Sequence, residues 1–282
     1  MSLTVSPAGG ALGAYIEDAD LARPDHVGAI RQALRDHLVV ALPGHTALTI
    51  EQLETFTDAL GGRDITPYVK PIDGHPHVIR ILKEPHEKLN FANAWHTDLS
   101  YLEAPPSFTV LHCLETPPAG GDTVWANQHL ALDTLSPGLR DTLLGLDAVH
   151  SAGPAYGTGG YLDGVKDKMS TRIEPSREAY AEQTHPVVIR HAETGRAGLY
   201  VNPVYTQRIA GWSKPESDGL LGYLHRHAVN ENFTWRLRWA PGTLAIWDNR
   251  CTQHFALNDY HGHRREMVRT SVKGSKPERA RA

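Results

Sequence analysis

From residue 107 onward the chain is a succession of short runs rich in Val, Thr, Tyr and Trp, broken by turn residues: SFTVLHCLE, GDTVWAN, HPVVIRHAETGRAGLYVN, FTWRLRWAPGTLAIWDN and REMVRTSV. β-Branched and aromatic residues suit a pleated, half-buried surface. Strands at this density, joined by short turns, predict a sandwich or jelly roll. Two insertions read as helices, HLALDTLSPGLRDTLLGLDAV and PESDGLLGYLHRHAVNE, which would pack outside the strands. Upstream, LTVSPAGGALGAYIEDAD reads as a hairpin with glycines at its turn. In RPDHVGAIRQALRDH, Val27, Ile30, Leu34 and Leu38 recur at helical spacing and predict an amphipathic helix. It runs into the strand-like LVVALPG. A second helix opens on Thr49 with Gln52 three residues on, a capping-box pattern, and stops at a Gly pair. HVIRIL reads as a short strand, KEPHEKLNFANA as a loop, and residues 273–282, KGSKPERARA, as a frayed tail. With no repeat and no linker, residues 1–282 are expected to form a single domain, mainly β with flanking helices around a double-stranded β-helix (jelly-roll) core.

A chain of 282 residues with 40% hydrophobic and 21% charged residues can build a sizeable core. Its net charge of −4, with Lys and Arg scattered, gives no basic surface for nucleic acid or a membrane. Cys113 and Cys251 lie far apart without CxxC spacing and read as two reduced core thiols. The N-terminus has no basic residue before Arg23 and no compact apolar run, which excludes an ordinary signal peptide. The longest apolar run, around LVVALP, is too short to span a bilayer. The expectation is a soluble, cytoplasmic protein.

The chemistry starts from Trp95-His96-Thr97-Asp98. With 17 His in the chain, an HxD pair alone is weak. A two-residue step in extended backbone does put both side chains on one face, so His96 and Asp98 can address one ion. His254, in CTQHFAL, supplies a third donor, expected at the end of a strand pair formed by TLAIWDN and CTQHFAL. Two His and one carboxylate on one face make the facial triad of non-haem Fe(II) oxygenases. Arg265 and Arg269 are four apart in REMVRTSV and share a strand face with Met267. At ~3.3 Å per residue they stand roughly 13 Å apart, too far to clamp one carboxylate together. Two guanidinium forks therefore suit two different anions; the plain alternative is two solvated arginines. His112 reads as a core residue, and His225 and His227 as solvent-facing positions on a helix. The pairs His75/His77 and His261/His263 lie beside turns and are not expected to bind metal. Trp95 and Trp247 flank the ligands in sequence and are expected to pack beside the site.

WHTDLSYLEAPPS, PPAGGDTVWAN, GRAGLYVNPVYTQRI and WDNRCTQHFALNDYHGHRREMVRTSV, spread over residues 95 to 272, together resemble the taurine dioxygenase family, which includes phenoxyalkanoate herbicide dioxygenases. The resemblance implies dependence on Fe(II), with 2-oxoglutarate and O2 as co-substrates. It implies that His96, Asp98 and His254 are iron ligands, that Thr123 and Arg265 hold the distal carboxylate of 2-oxoglutarate, and that Arg269 holds the acid group of the substrate. Relatives often form multimers, so a homo-oligomer is expected. Taurine enzymes place a histidine after the second helix, where this chain has Tyr68, Val69 and Lys70, and FANA before His96 is apolar by comparison. Both departures argue against taurine. The expected substrate is a small anionic molecule, a carboxylic acid of the aryloxyalkanoate kind before taurine, with Tyr68, Lys70, Leu99 and Tyr205 as pocket residues. The alternatives are a taurine, alkylsulfonate or alkyl sulfate dioxygenase and, from other classes, a zinc hydrolase or a non-catalytic jelly-roll binding protein.

Overall fold

The computed structural model describes residues 3–281. Its largest element is a nine-stranded sheet in the order Thr4–Pro7, Ala14–Glu17, Val39–Leu42, Leu244–Asp248, Phe108–Glu115, Arg265–Val272, His75–Lys83, Pro71–Ile72, with Arg63–Asp64 also on Arg265–Val272. A three-stranded sheet of Thr234–Leu237, Thr123–Asn127 and Thr252–Ala256 packs against it. This is the jelly-roll core the strand density predicts.

Period-2 alternation sorts side chains between the two faces of the large sheet. Phe108, Val110, Leu244, Ile246, Val268 and Val272 point outward and bury the apolar stripes of helices Pro24–His37 and Ile50–Leu60. Leu111, Cys113, Ala245, Trp247 and Met267 point inward, against Trp125, Trp235 and Leu237 of the small sheet. The capping box that opens the second helix is formed: Gln52 N–H donates to Thr49 Oγ1 at 3.3 Å and Thr49 N–H to Gln52 Oε1 at 2.9 Å. Both cysteines are free and buried. No helix among the described residues is long and apolar enough to cross a membrane.

Several local expectations need correction. TLAIWDN and CTQHFAL do not pair: Leu244–Asp248 lies in the large sheet and Thr252–Ala256 in the small one, so the turn between them carries the chain across the core. The first helical insertion is two helices, Gln128–Asp133 and Pro137–Leu144, split at Ser136-Pro137, and its end is a strand, Asp147–Ser151. The tail is not frayed: Glu278–Arg279 pairs with the edge of Val188–Arg190, and Arg279 donates to the carbonyls of Leu144 and Leu146. His225 and His227 do not face solvent. His227 Nε2 donates to Ala131 O at 2.7 Å, and burial pushes the His225 imidazole down to about 4.

Candidate active site

An isolated antiparallel bridge ties WHTD to the small sheet: His96 N–H donates to His254 O at 3.0 Å and His254 N–H to His96 O at 2.8 Å. The two imidazoles are thereby set side by side, with ring centroids 4.1 Å apart. The two-residue step then brings in Asp98, whose Oδ1 lies 3.5 Å from His96 Nε2 and 3.9 Å from His254 Nε2. One donor atom from each residue falls within 4.8 Å of the others, and all three residues are buried. His96 Nδ1 sits 2.8 Å from the carbonyl of Ala94. A carbonyl only accepts, so Nδ1 carries the hydrogen and Nε2 offers its lone pair to the centre of the cluster.

The charge states suit a metal. Burial alone pushes the Asp98 carboxyl up, but Arg269, then His254 and His96, outweigh it and hold it well below the ordinary carboxylate range. Burial, with His96 alongside, holds the His254 imidazole well below its usual value, so it is neutral. Two imidazoles and one carboxylate on one face are the donor set that suits Fe(II) with open positions.

Arg265 and Arg269 lie on the inner face of the same strand with Met267 between them, as the alternation predicts, and both border one small chamber with Thr123, Trp247 and His254. Arg265 is 5% exposed and has no carboxylate partner among the described residues. Its Nε donates to Gly121 O at 3.0 Å, its guanidinium lies 5.8 Å from the Trp239 ring, and Nη2 has no partner. A buried, unpaired guanidinium is costly, and burial pulls its pKa down. An anionic ligand removes that cost, and a carboxylate matches the fork. Gly120 and Gly121 shape this end: their φ of +80° and +69° favour glycine, and a Cβ on Gly121 would meet Arg265 Cδ at 3.2 Å.

Arg269 sits between two spaces. Its Nη1 contacts Asp98 Oδ1 at 3.1 Å, while Nε and Nη2 are buried without partners. It also borders a cavity of about 310 Å³ that reaches His96 and Asp98 and is walled by Leu89, Phe91, Leu99, Leu162, Tyr156 and Tyr205. Leu99 follows Asp98 with φ +51°, a conformation few leucines adopt. The Tyr205 ring meets His96 edge-on at 6.2 Å. Tyr68 backs this wall, its ring 5.8 Å from Tyr156 and 6.0 Å from Tyr101.

Lys70 is not in the cavity. Val69 turns inward, bridged to Ile173, so its neighbour Lys70 points out into a separate surface cleft with Arg80 and Arg172. Trp247 packs 4.7 Å from His254, whereas Trp95 stacks on Phe255 at 5.7 Å. His112 is a satisfied core residue, its Nε2 donating to His45 O at 2.9 Å. Sequence reading missed Phe91, Tyr156 and Thr109. The last was detectable as a lone hydroxyl on the inward face shared by Leu111 and Cys113.

A family profile described as "Taurine catabolism dioxygenase TauD, TfdA family" matches residues 4–271. A sulfate ester dioxygenase of Pseudomonas putida, described as alpha-ketoglutarate-dependent, is 34% identical over 98% of this chain and 91% of its own. A protein named alkylsulfatase from Acinetobacter baylyi is 33% identical over 87% of this chain and 76% of its own. The crystal structure of a taurine dioxygenase from Burkholderia xenovorans superposes with a TM-score of 0.82 at 33% identity, covering 98% of this chain and 93% of the other. The fold and the triad define a jelly-roll dioxygenase with a site suited to iron. The chain belongs to the TauD/TfdA family, and it is a 2-oxoglutarate-dependent dioxygenase using Fe(II) and O2.

Proposed function

We propose that this dioxygenase acts on organic sulfate esters, oxidising the carbon that bears the sulfate. The observation that carries the reading is Arg269: a buried guanidinium with two uncommitted N–H groups, beside the triad, at the inner end of an apolar cavity. That arrangement suits an anionic head on an apolar tail. The two relatives named for sulfate esters, each matched over most of this chain, support the sulfate head group. The carboxylic acid expected from sequence is less well supported. The departures at residues 68–70 speak against taurine without distinguishing one acid from another, and Lys70 lies outside the cavity.

Bound together, Fe(II) and 2-oxoglutarate supply the oxidation: O2 is consumed, 2-oxoglutarate loses CO2 to give succinate, and one oxygen atom enters a substrate C–H bond. His96, Asp98 and His254 hold the metal. Arg265, helped by Thr123, pairs with the far carboxylate of 2-oxoglutarate and fixes its orientation. Arg269 receives the sulfate, and Leu99, Tyr156 and Tyr205 exclude water around the tail. Hydroxylation of R–CH2–OSO3⁻ puts hydroxyl and sulfate on one carbon. The C–O bond to sulfate then breaks, the hydroxyl proton leaves with it, and the products are an aldehyde and hydrogen sulfate. A zinc hydrolase would leave the unpaired Arg265 without a purpose.

Succinate, sulfate and aldehyde release should be measured across alkyl sulfates, alkylsulfonates, taurine and aryloxyalkanoates. The expected result is one sulfate per succinate with alkyl sulfates and the highest kcat/KM in that class. Faster turnover of an aryloxyalkanoate would return the carboxylic acid reading to first place.

A further inference from the structure

Asp98 is held at both oxygens, and the two are held differently. Oδ1 faces the two imidazoles and Arg269. Oδ2 turns away to Thr109, whose Oγ1 lies 2.8 Å from it, and Asn249 Nδ2 lies 2.9 Å from the same Oγ1. Thr109 and Asn249 are both buried.

The direction of each bond follows from charge. An ionised carboxylate only accepts, so the Thr109 hydroxyl must give its hydrogen to Asp98. Its oxygen then has only lone pairs left for Asn249, so the amide must present Nδ2. Asn249 therefore stops the hydroxyl rotor from pointing elsewhere, and Oδ2 stays engaged while Oδ1 remains the donor toward the ion.

Asn249 is itself fixed by its neighbours. Asp248 accepts from His191 Nε2 at 2.9 Å and from Arg250 Nη2 at 2.6 Å, and Asn249 N–H donates to Ser107 O at 2.9 Å. These residues form the turn that crosses from the large sheet to the strand carrying His254. One clamped turn thus sets His254 through the backbone and Asp98 through Asn249 and Thr109.

We propose that Thr109 and Asn249 are positioning residues for the iron, which hold Asp98 as a single-oxygen ligand through Oδ1. The proposal rests on the assignment of Fe(II) to the triad. The test is anaerobic titration of the full-length, metal-free protein with Fe(II) against a competing chelator, comparing wild type, T109V, T109S and N249A.

Outer-shell partners of metal ligands typically contribute 10–100-fold to affinity. T109V, which keeps shape and loses the hydroxyl, is expected to weaken Fe(II) binding by about that range. T109S should restore it to near wild type, and N249A should lose less than T109V. Wild-type affinity in T109V, or equal losses in T109V and T109S, would overturn the proposal. Should T109V fail to fold by circular dichroism, N249A carries the test, and undiminished affinity there overturns it equally. A wild-type protein that binds no Fe(II) would instead remove the iron assignment, an outcome distinct from any difference among the variants.

Discussion

The described residues contain two compact buried clusters of potential ligands, His96–Asp98–His254 and His191–Asp248–Cys251, each with donor atoms within 4.8 Å of one another. Proximity and burial do not tell them apart; prior commitments do. In the second cluster His191 Nδ1 accepts from the N–H groups of Glu193 and Thr194 at 3.3 and 3.1 Å, and Nε2 donates to Asp248. Arg250 takes both Asp248 oxygens and also pairs with Glu193 at 2.9 Å. Burial keeps the Cys251 thiol well above its usual pKa and therefore protonated. Every donor there is spent on the protein. In the first cluster His96 Nε2 has no partner outside the cluster, and the chamber and cavity open beside it. The clasp has spent its donor atoms within the protein, whereas the triad keeps an imidazole nitrogen, and Arg265 and Arg269 keep buried nitrogens, for a ligand to complete.

Breaking one histidine in each cluster has the largest expected effect. His254→Ala should reduce 2-oxoglutarate turnover to background and remove Fe(II) binding. His191→Ala should keep Fe(II) affinity within a few-fold of wild type and instead cost about 1–3 kcal/mol of stability, chiefly the penalty for a buried Asp248 oxygen losing its partner, with two part-buried N–H groups adding to it. Fe(II) titration and urea unfolding on both variants read the contrast. Loss of iron from the His191 variant alone would reverse the assignment.

The difference between the clusters was only partly legible in the sequence. The HxD step and His254 could be read because ligand type and two-residue spacing are local properties. Arg265 and Arg269 could be read because alternation fixes a face. Alternation says nothing about which strand is a neighbour, so TLAIWDN and CTQHFAL read as a strand pair although they lie in opposite sheets. Lys70 is expected in the pocket from its place in the loop after the second helix, but a one-residue offset from the buried Val69 puts it on the surface. The polar tail carries no apolar pattern, and its order comes from edge pairing and from Arg279. The inward face of Thr109 is legible, but its partner and those of Asn249 and Asp248 are not, because they lie 11, 140 and 57 residues away in the chain.

Two arginines sharpen the comparison with a stability readout. Arg250 is satisfied, bound to Asp248 and Glu193, and Arg250→Met strips the buried Asp248 carboxylate of its arginine, while Glu193 keeps Arg31 and Arg35. Breaking a buried pair typically costs about 3–5 kcal/mol, so its urea midpoint should fall substantially. Arg265 is unsatisfied, and Arg265→Met replaces a lone buried charge by an apolar chain. In ligand-free protein it should be at least as stable as wild type, while succinate production is lost. A large destabilisation of ligand-free Arg265→Met would mean that this guanidinium is structural, and the co-substrate assignment would weaken with it.

Proton linkage at the clasp gives the smallest effect. Burial alone raises the Asp248 carboxyl, but Arg250, by charge and hydrogen bond, and then His191 outweigh it and hold it well below the ordinary range. In the unfolded chain it titrates near about 3.9. Because the folded value is the lower one, the unfolded state binds the proton first as pH falls. The stabilisation is complete above about pH 4 and is lost as pH drops through the folded value, at no more than about 1.4 kcal/mol per pH unit for one proton. Asp248→Asn has no such proton to bind. The stability gap between wild type and this variant should therefore stay flat from neutral pH down to about 4 and narrow below it. Urea midpoints across that range test this. A gap that stays constant into strong acid would mean that the clasp holds Asp248 by shape and neutral hydrogen bonds rather than by charge.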